Sequence, residues 1–153
     1  MFVKISDLAR GRRHLDFEIE PDALLEAIGR RPDVEPDLTA AVEADAEEVD
    51  RTINITGKVT LRIKAVCSRC AEDYETVMVL PWNLILVPVS ERPGPQIDDE
   101  GFGYYSGERI DAGQFALEHV GLVFPEILLC RPDCKGICPG CRVNLNEEVC
   151  RCK

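Results

Sequence analysis

The sequence predicts an α+β fold, an antiparallel β-meander or a partly closed barrel, with two short helices and a cysteine-rich C-terminal tail. Apolar and polar residues alternate over most of residues 38–89, which is the period of a half-buried strand. Two short segments elsewhere carry helix-start signals. Six of the eight cysteines lie in the last 24 of the 153 residues. We therefore expect an antiparallel β-rich domain over residues 1–125 and a tail over residues 126–153.

The N-terminal part of the chain predicts one strand and one helix. Residues 15–19 alternate apolar and polar side chains, which indicates a half-buried strand. Pro21 and Asp22 begin a short helix near residues 22–29, because proline and acidic residues favour the first turn of a helix. Gly29 ends this helix.

Residues 38–89 predict the meander. The alanines and glutamates of residues 40–48 also suit a helix by composition. We favour a strand because the segment that follows alternates strictly. Its apolar side chains fall on odd positions, namely Ile53, Ile55, Val59, Leu61, Ile63 and Ala65. We expect this strand to bend at Gly57, and the returning strands, residues 74–79 and 82–89, to be interrupted at Pro81.

Residues 90–125 predict a loop and the second helix. Residues 90–110 are rich in proline, glycine and acids, and we expect a mobile loop that proteases cut first between residues 91 and 103. Asp111 is placed to cap a helix over residues 111–124, with Gln114 at the capping-box position. Pro125 ends that helix.

The eight cysteines occur in pairs with metal-ligand spacing. The pairs are Cys67 and Cys70, Cys130 and Cys134, Cys138 and Cys141, and Cys150 and Cys152. The start of the chain lacks a signal-peptide pattern, and no run approaches the ~18 apolar residues of a membrane helix. We therefore expect a cytoplasmic protein without a membrane partner. Disulfides do not persist in a reducing compartment, so clustered cysteines indicate metal.

Zinc is the metal that such clusters favour, because it binds four thiolates in a tetrahedron. The tail is therefore a predicted zinc knuckle, in which the turn Pro139-Gly140 orients two sulfurs. The simplest assignment gives one ion to Cys138, Cys141, Cys150 and Cys152. A second ion would then join Cys67 and Cys70 to Cys130 and Cys134 and staple the tail to the sheet. Alternatively, Cys130 and Cys134 join the terminal pair and leave Cys67 and Cys70 free, so one or two structural ions are expected.

The sequence favours a protein that is not an enzyme and has no small-molecule substrate. It contains neither a nucleophile-elbow motif nor a glycine-rich phosphate loop. His14 and His119, the two histidines, are best explained as structural or surface residues. Four thiolates around each zinc leave no open position for a substrate. The competing interpretation is a thiol-redox enzyme with Cys67 and Cys70 as its pair, but that motif belongs at a helix start rather than between strands.

The charge pattern limits how the protein could meet nucleic acid. The formal net charge is −10, which argues against nonspecific coating of nucleic acid because phosphate binding needs clustered cations. A local basic row is the exception, and the RNA-binding candidates are Lys58, Arg62, Lys64 and Arg69. In the competing interpretation, acids of the neighbouring strand (Glu43, Asp45 and Glu47) pair with these bases and give a neutral solvated face.

The motif Cys-x3-Cys-Lys-Gly-x-Cys-Pro-x-Cys over residues 130–141, together with Cys67-Ser-Arg-Cys70 after a long strand, resembles the bacterial YceD family. The order of parts is similar over nearly the whole chain. One departure is Arg142, where the family often has glycine. The resemblance implies a role in the accumulation of large-subunit ribosomal RNA. The expected partner is that RNA or a ribosomal or assembly protein; the alternative function is a zinc-stabilised protein–protein adaptor without RNA contact.

Overall fold

A computed structural model describes residues 1–35, 38–91 and 102–152. The strands are β1 (Phe2–Lys4), β2 (Arg13–Ile19), β3 (Thr39–Val49), β4 (Thr52–Val66), β5 (Asp73–Pro88), β6 (Phe102–Tyr105) and β7 (Arg109–Asp111). The α-helices are α1 (Ile5–Leu8), α2 (Pro21–Ala27) and α3 (Ala112–Val123), and a short 3-10 helix spans Val89–Glu91.

The main sheet has five strands in the order β2-β3-β4-β5-β6. Strands β2 to β5 are consecutive and antiparallel, which confirms the predicted meander. Strand β6 joins β5 in parallel at residues 85–88. Within the described residues the edge strands β2 and β6 do not pair with each other, so the sheet is open and the alternative of a partly closed barrel is wrong.

The alternation of apolar and polar residues in the sequence corresponds to the two faces of this sheet: the apolar side chains lie on the buried face. The six apolar side chains at odd positions of β4 are all at most 3% exposed. The alanine-rich segment is strand β3, with Ala40, Val42, Ala44 and Ala46 buried on the same face. Because β3 pairs on both sides, its ladder and its burial outweigh the helix propensity of alanine and glutamate.

One predicted irregularity of the sheet, the interruption at Pro81, is wrong, whereas the bend at Gly57 stays a prediction. Strand β4 is continuous through Gly57, where a Cβ atom would lie 2.2 Å from the carbonyl oxygen of Glu43, so this glycine permits close approach of β3. Strand β5 is continuous through Pro81. Among the described strands, residues 73–84 of β5 pair only with β4, and proline is tolerated where one side of a strand has no partner.

Helices α2 and α3 pack against each other and share one apolar core with the sheet. They lie in the segments predicted as helices. Asp111 caps α3 by accepting hydrogen bonds from the N–H groups of Gly113 and Gln114. The side chain of Gln114 donates to Glu118 instead of returning to the cap, so the capping box is only half formed. At Gly121 a Cβ atom would lie 2.8 Å from the carbonyl oxygen of Ala27, so glycine sets the close approach of the two helices.

Several short elements were not predicted. Helix α1 has four residues, too few to show a helical period. Strands β6 and β7 lie in the segment predicted as a loop, and β7 pairs with β1 in a second, two-stranded sheet. The expected mobility and protease sensitivity of residues 91–103 concerns residues that are mostly outside the described part of the chain. The division into domains at residue 125 stays a prediction.

No helix among the described residues has the length and apolar character needed to cross a membrane.

Candidate metal centres

The eight cysteines form two groups of four. The inner cluster consists of Cys67, Cys70, Cys130 and Cys134, and the outer cluster consists of Cys138, Cys141, Cys150 and Cys152. Within each cluster the sulfur atoms lie within 4.8 Å of one another. The sulfurs are therefore grouped as in the simplest assignment, and Cys67 and Cys70 lie beside Cys130 and Cys134 rather than apart from them.

Backbone hydrogen bonds bring the two halves of the inner cluster together. Between β4 and β5 the chain turns at Ala71, whose N–H donates to the carbonyl of Cys67 over 2.9 Å and whose φ is 58°. The N–H of Ser68 donates to the carbonyl of Leu128 over 2.8 Å, and the Ser68 hydroxyl accepts from the N–H of Leu128. These bonds hold the start of the tail against the turn, so Cys130 comes to lie beside Cys70.

Arg69 fixes the next part of the tail. Its Nη1 donates to the carbonyl of Cys134 over 3.0 Å, and its own carbonyl accepts from the N–H of Ile137 over 3.0 Å. Gly136 lies directly on Arg69 with a φ of 73°, and a Cβ atom there would be 2.9 Å from the Arg69 carbonyl oxygen. The glycine of the Cys-Lys-Gly segment is thus required both for its backbone angle and for this contact.

A tight turn and a returning segment build the outer cluster. The N–H of Cys138 donates to Val143 and the N–H of Arg142 donates back to Cys138, each over 2.9 Å. A Cβ atom on Gly140 would be 2.5 Å from the sulfur of Cys152, so only glycine leaves room for that sulfur. Arg142 itself has a φ of 60°, the left-handed conformation that glycine adopts most easily.

The sulfur separations fit a tetrahedral ion. Four sulfurs at ~2.3 Å from a central zinc lie about 3.8 Å apart. In the inner cluster Cys67 and Cys134 are 3.8 Å apart, as are Cys70 and Cys130. In the outer cluster the sulfur of Cys138 is 3.5 Å from Cys150 and 3.6 Å from Cys152, and Cys141 is 4.0 Å from Cys150. Both clusters could therefore hold a metal ion.

The thiols of each cluster divide into two that ionise easily and two that do not. Burial opposes ionisation of Cys67, but donors from the backbone of Cys130, Cys70 and Arg69 outweigh it and lower its pKa to about 6. Burial and the neighbouring sulfurs raise the pKa of Cys130 to about 12. A group of four such thiols holds all four charges only when a cation balances them.

The outer cluster shows the same division. Backbone donors from Arg151 and Val143 lower the pKa of Cys141 to about 6. Hydrogen bonds with Cys138, Cys141 and Cys150 favour the protonated form of Cys152 and raise its pKa to about 12. The chemistry of both donor sets therefore suits a divalent metal that prefers thiolate ligands.

Asn146 connects the two clusters. In the sequence it lies between Cys141 and Cys150 of the outer cluster, but its Nδ2 donates to the sulfur of Cys134 in the inner cluster over 3.3 Å. Burial opposes ionisation of Cys134, and this amide is the largest of the contributions that lower its pKa. The Asn146 Oδ1 accepts from the N–H of Lys135 over 2.8 Å. This residue was not predicted, because an asparagine in a short loop carries no metal-ligand signal.

A second contact missed from the sequence ties the start of the tail to the sheet domain. The Arg31 guanidinium donates to the carbonyls of Pro125 and Glu126 over 2.6 and 2.7 Å and lies 5.6 Å from the centre of the Phe124 ring. Asp33 accepts from the same guanidinium, and this hydrogen bond lowers the pKa of the Asp33 carboxyl. The link depends on residues 95 apart in sequence, so no local pattern could indicate it.

The four basic RNA-binding candidates do not form a row of unpaired cations. Lys58 is 2.9 Å from the carboxylate of Glu43 on β3, and Lys64 is 3.7 Å from Glu75 on β5. Arg69 binds the backbone of the tail, as described above. Arg62 is exposed, and among the described residues it has no ion-pair partner. Three of the four bases thus already have partners within the protein.

Asp45 and Glu47, the other two acids named in the competing interpretation, also have partners. Asp45 is 3.1 Å from His14, and Glu47 is 3.4 Å from Arg12, both on or next to β2. Of the pairs expected in the competing interpretation of the basic row, the structure thus shows Glu43 with Lys58, whereas Asp45 and Glu47 contact residues of the β2 side instead.

A protein-family model described as "Large ribosomal RNA subunit accumulation protein YceD" matches residues 55–153, which include both clusters. The chain is 35% identical over 103 residues to the uncharacterized protein Rv2926c of Mycobacterium tuberculosis, which covers 67% of this chain and 49% of that protein. It is 24% identical over 102 residues to the uncharacterized protein ML1660 of Mycobacterium leprae, which covers 67% of this chain and 47% of that protein. The chain thus spans about half the length of these curated relatives. No solved structure matches it.

Proposed function

The chain belongs to the YceD family of large ribosomal RNA subunit accumulation proteins, and from this premise we propose that it is a non-enzymatic factor that supports the accumulation of large-subunit ribosomal RNA. The observation that carries the proposal is the family match over residues 55–153. The factor would act on the synthesis, processing or stability of that RNA in ribosome biogenesis.

We propose zinc as the structural metal of both clusters. The support is the all-cysteine ligand sets, with sulfur separations close to those of a tetrahedral zinc site. When bound, zinc would balance the thiolate charges and stabilise the folded tail. The tail has few large buried apolar side chains of its own, Leu128 being the fully buried one between residues 126 and 152.

The same ligand sets support a role without catalysis. Four cysteines around each ion leave no position for a substrate or an activated water. The pair Cys67 and Cys70, the candidate for redox chemistry, lies beside two more cysteines, as a metal site requires and a redox pair does not. Thiolate clusters of this kind also need a reducing environment, which supports a cytoplasmic location.

A protein–protein adaptor without RNA contact is the second candidate function. The observation that favours it is the pairing of Lys58, Lys64 and Arg69 within the protein, which leaves few cations on that face for phosphate. In this version the protein would support ribosomal RNA accumulation by binding a basic ribosomal or assembly protein, to which its net charge of −10 is complementary.

Depletion of the protein in its source organism tests the primary proposal. We expect the ratio of large-subunit to small-subunit ribosomal RNA to fall, and the wild-type gene to restore it. An unchanged ratio in fully depleted cells would contradict the proposal. Capture of the tagged protein with and without ribonuclease then separates the two versions: recovery of assembly proteins that survives ribonuclease favours the adaptor.

A further inference from the structure

A groove lies between helices α2 and α3, and none of the eight cysteines lines it. Its volume is about 600 Å³, and it is lined mainly by Glu26, Ala27, Leu117, Glu118, Gly121 and Leu122. The contact between Gly121 and the carbonyl of Ala27 brings the two helices together. The groove is therefore built from two helices of the core and is supported by their packing.

Apolar side chains at the end of α3 and just after it are exposed to solvent. Leu122 is 85% exposed and lines the groove. Val123 and Ile127, which follow it in the chain, are 43% and 67% exposed. A large apolar side chain that is this exposed beside a groove, as Leu122 is, is typical of a surface that a partner covers.

The polar groups of the groove are negative. Glu26 and Glu118 are both exposed, and neither has an ion-pair partner among the described residues. One oxygen of Glu118 accepts from the neutral Gln114 amide over 3.0 Å, which leaves its charge uncompensated. Of the nearby bases, Arg31 is engaged with Asp33 and the tail carbonyls, and Arg30 does not line the groove.

We propose that the groove between α2 and α3 binds a basic amphipathic helix of a partner protein. An apolar side chain of that helix would lie over Gly121 beside Leu122, and lysines or arginines would face Glu26 and Glu118. Helix-in-groove recognition uses apolar anchors of this kind, and the rim charges set partner choice. RNA, an anionic membrane or a second copy of this groove would each present negative charge to the two carboxylates.

The choice of partner rests on the proposed function, since ribosome assembly offers many basic proteins with helical extensions. A test uses the full chain, loaded with zinc, with the photo-crosslinking residue p-benzoylphenylalanine at Gln114 on the groove rim. The probe is the mixture of proteins extracted from purified large subunits and freed of RNA. The matched control carries the same crosslinker at Val79, which is 56% exposed on the outer face of the sheet.

We expect a crosslinked adduct with a basic protein from position 114 and none from position 79. Combining the crosslinker with Glu26→Lys and Glu118→Lys should reduce the adduct at least tenfold. The matched charge control, Asp16→Lys and Glu18→Lys on the exposed side of β2, changes the net charge equally and should leave the adduct within twofold. Zinc content and circular dichroism of each variant verify its folding.

Three results would overturn the proposal: no adduct at position 114, an adduct with a second copy of the chain, or equal loss in both charge variants. The depletion assay reads the proposed function separately. If depletion lowers the ribosomal RNA ratio and the groove variant restores it as well as wild type does, the function stands and the groove proposal fails. If depletion leaves the ratio unchanged while the adduct forms, the proposed function fails.

Discussion

The inner and outer clusters each have four cysteine ligands, but their surroundings differ. In the inner cluster Cys67, Cys70 and Cys134 are at most 3% exposed, and Leu129 and Tyr74 pack against them. In the outer cluster Cys150 and Cys152 are exposed. The inner cluster joins residues as much as 67 apart, whereas Cys138 and Cys152 of the outer cluster are 14 apart.

Identical ligand chemistry can therefore serve two structural purposes. The inner cluster joins the turn after β4 to the tail, so it determines where the tail lies on the sheet. The outer cluster closes a short segment on itself. Burial should also slow the loss of metal from the inner cluster and the oxidation of its sulfurs, because chelators and oxidants reach exposed sulfurs more easily.

Loss of the inner cluster should have the largest effect. In Cys70→Ser one ligand is gone, and we expect the inner zinc to be lost together with up to about 10 kcal/mol of binding free energy. Native mass spectrometry should show one zinc in place of two, and amide exchange should show the tail released from the turn at residues 67–70. Two retained ions would contradict the assignment.

Cys138→Ser in the outer cluster should have a more local effect. We expect one zinc to be lost and residues 138–152 to become disordered, while the sheet keeps its amide protection. Because this cluster closes a short exposed segment, the body of the protein does not depend on it. If the strands lose protection to the same extent as in Cys70→Ser, the two clusters do not differ in the way described.

Asn146→Ala tests whether the clusters are independent. Loss of the amide that donates to Cys134 should weaken zinc at the inner cluster about tenfold, as removal of outer-shell partners commonly does. Competition with a chromophoric chelator measures this. Asn83→Ala, at an exposed position of β5, is the control and should leave both affinities unchanged. Equal affinities in the Asn146 variant and wild type would show that the loop contributes nothing to the inner site.

Arg31→Ala tests the contact that holds the start of the tail without cysteines. Its loss removes charged hydrogen bonds to Pro125, Glu126 and Asp33, and we expect the free energy of unfolding to fall by about 2 kcal/mol. Denaturant unfolding at neutral pH measures the change. Arg30→Ala, at the exposed neighbouring position, should change it little.

The pH dependence of that difference has a defined sign. The Arg31 hydrogen bond lowers the Asp33 pKa below its ordinary value of 3.8, so the pair stabilises the fold above that value. The stabilisation is lost as the pH falls through the lowered pKa of the folded state. The difference in the free energy of unfolding between wild type and Arg31→Ala should therefore become smaller only below pH 3.8. A difference that already becomes smaller at neutral pH would contradict this.

The smallest expected effect is a gain in stability. Arg142→Gly should stabilise the outer turn by at most about 1 kcal/mol, because the φ of 60° is unfavourable for a side chain with a Cβ atom, and glycine's larger backbone entropy offsets part of the relief. Thermal unfolding of the zinc-loaded protein measures this change in stability. A loss of stability would mean that the Arg142 side chain contributes contacts that outweigh the strain.

The contrast between the clusters also separates what the sequence could predict from what it could not. The outer pairing follows from short spacings, and the strands around Cys67 follow from strict alternation, because both signals are local. Arg31 and the contact of Gly136 with Arg69 depend on residues far apart in the chain, so only the folded arrangement shows them. Asn146 is only 12 residues from Cys134, but an asparagine in a short loop carries no metal-ligand signal. Short elements such as α1, β6 and β7 contain too few residues for a periodic pattern.

The position of the ligands along the chain also orders the steps of assembly. Closing a loop costs entropy that grows with its length, and bringing together residues 67 apart costs about 1.4 kcal/mol more than residues 14 apart. Both clusters take ligands from beyond residue 129, so strands β2 to β5 can pair during synthesis before either ion has a complete site. The inner site can then close on a turn that the finished sheet already presents, while the outer segment captures its ion locally.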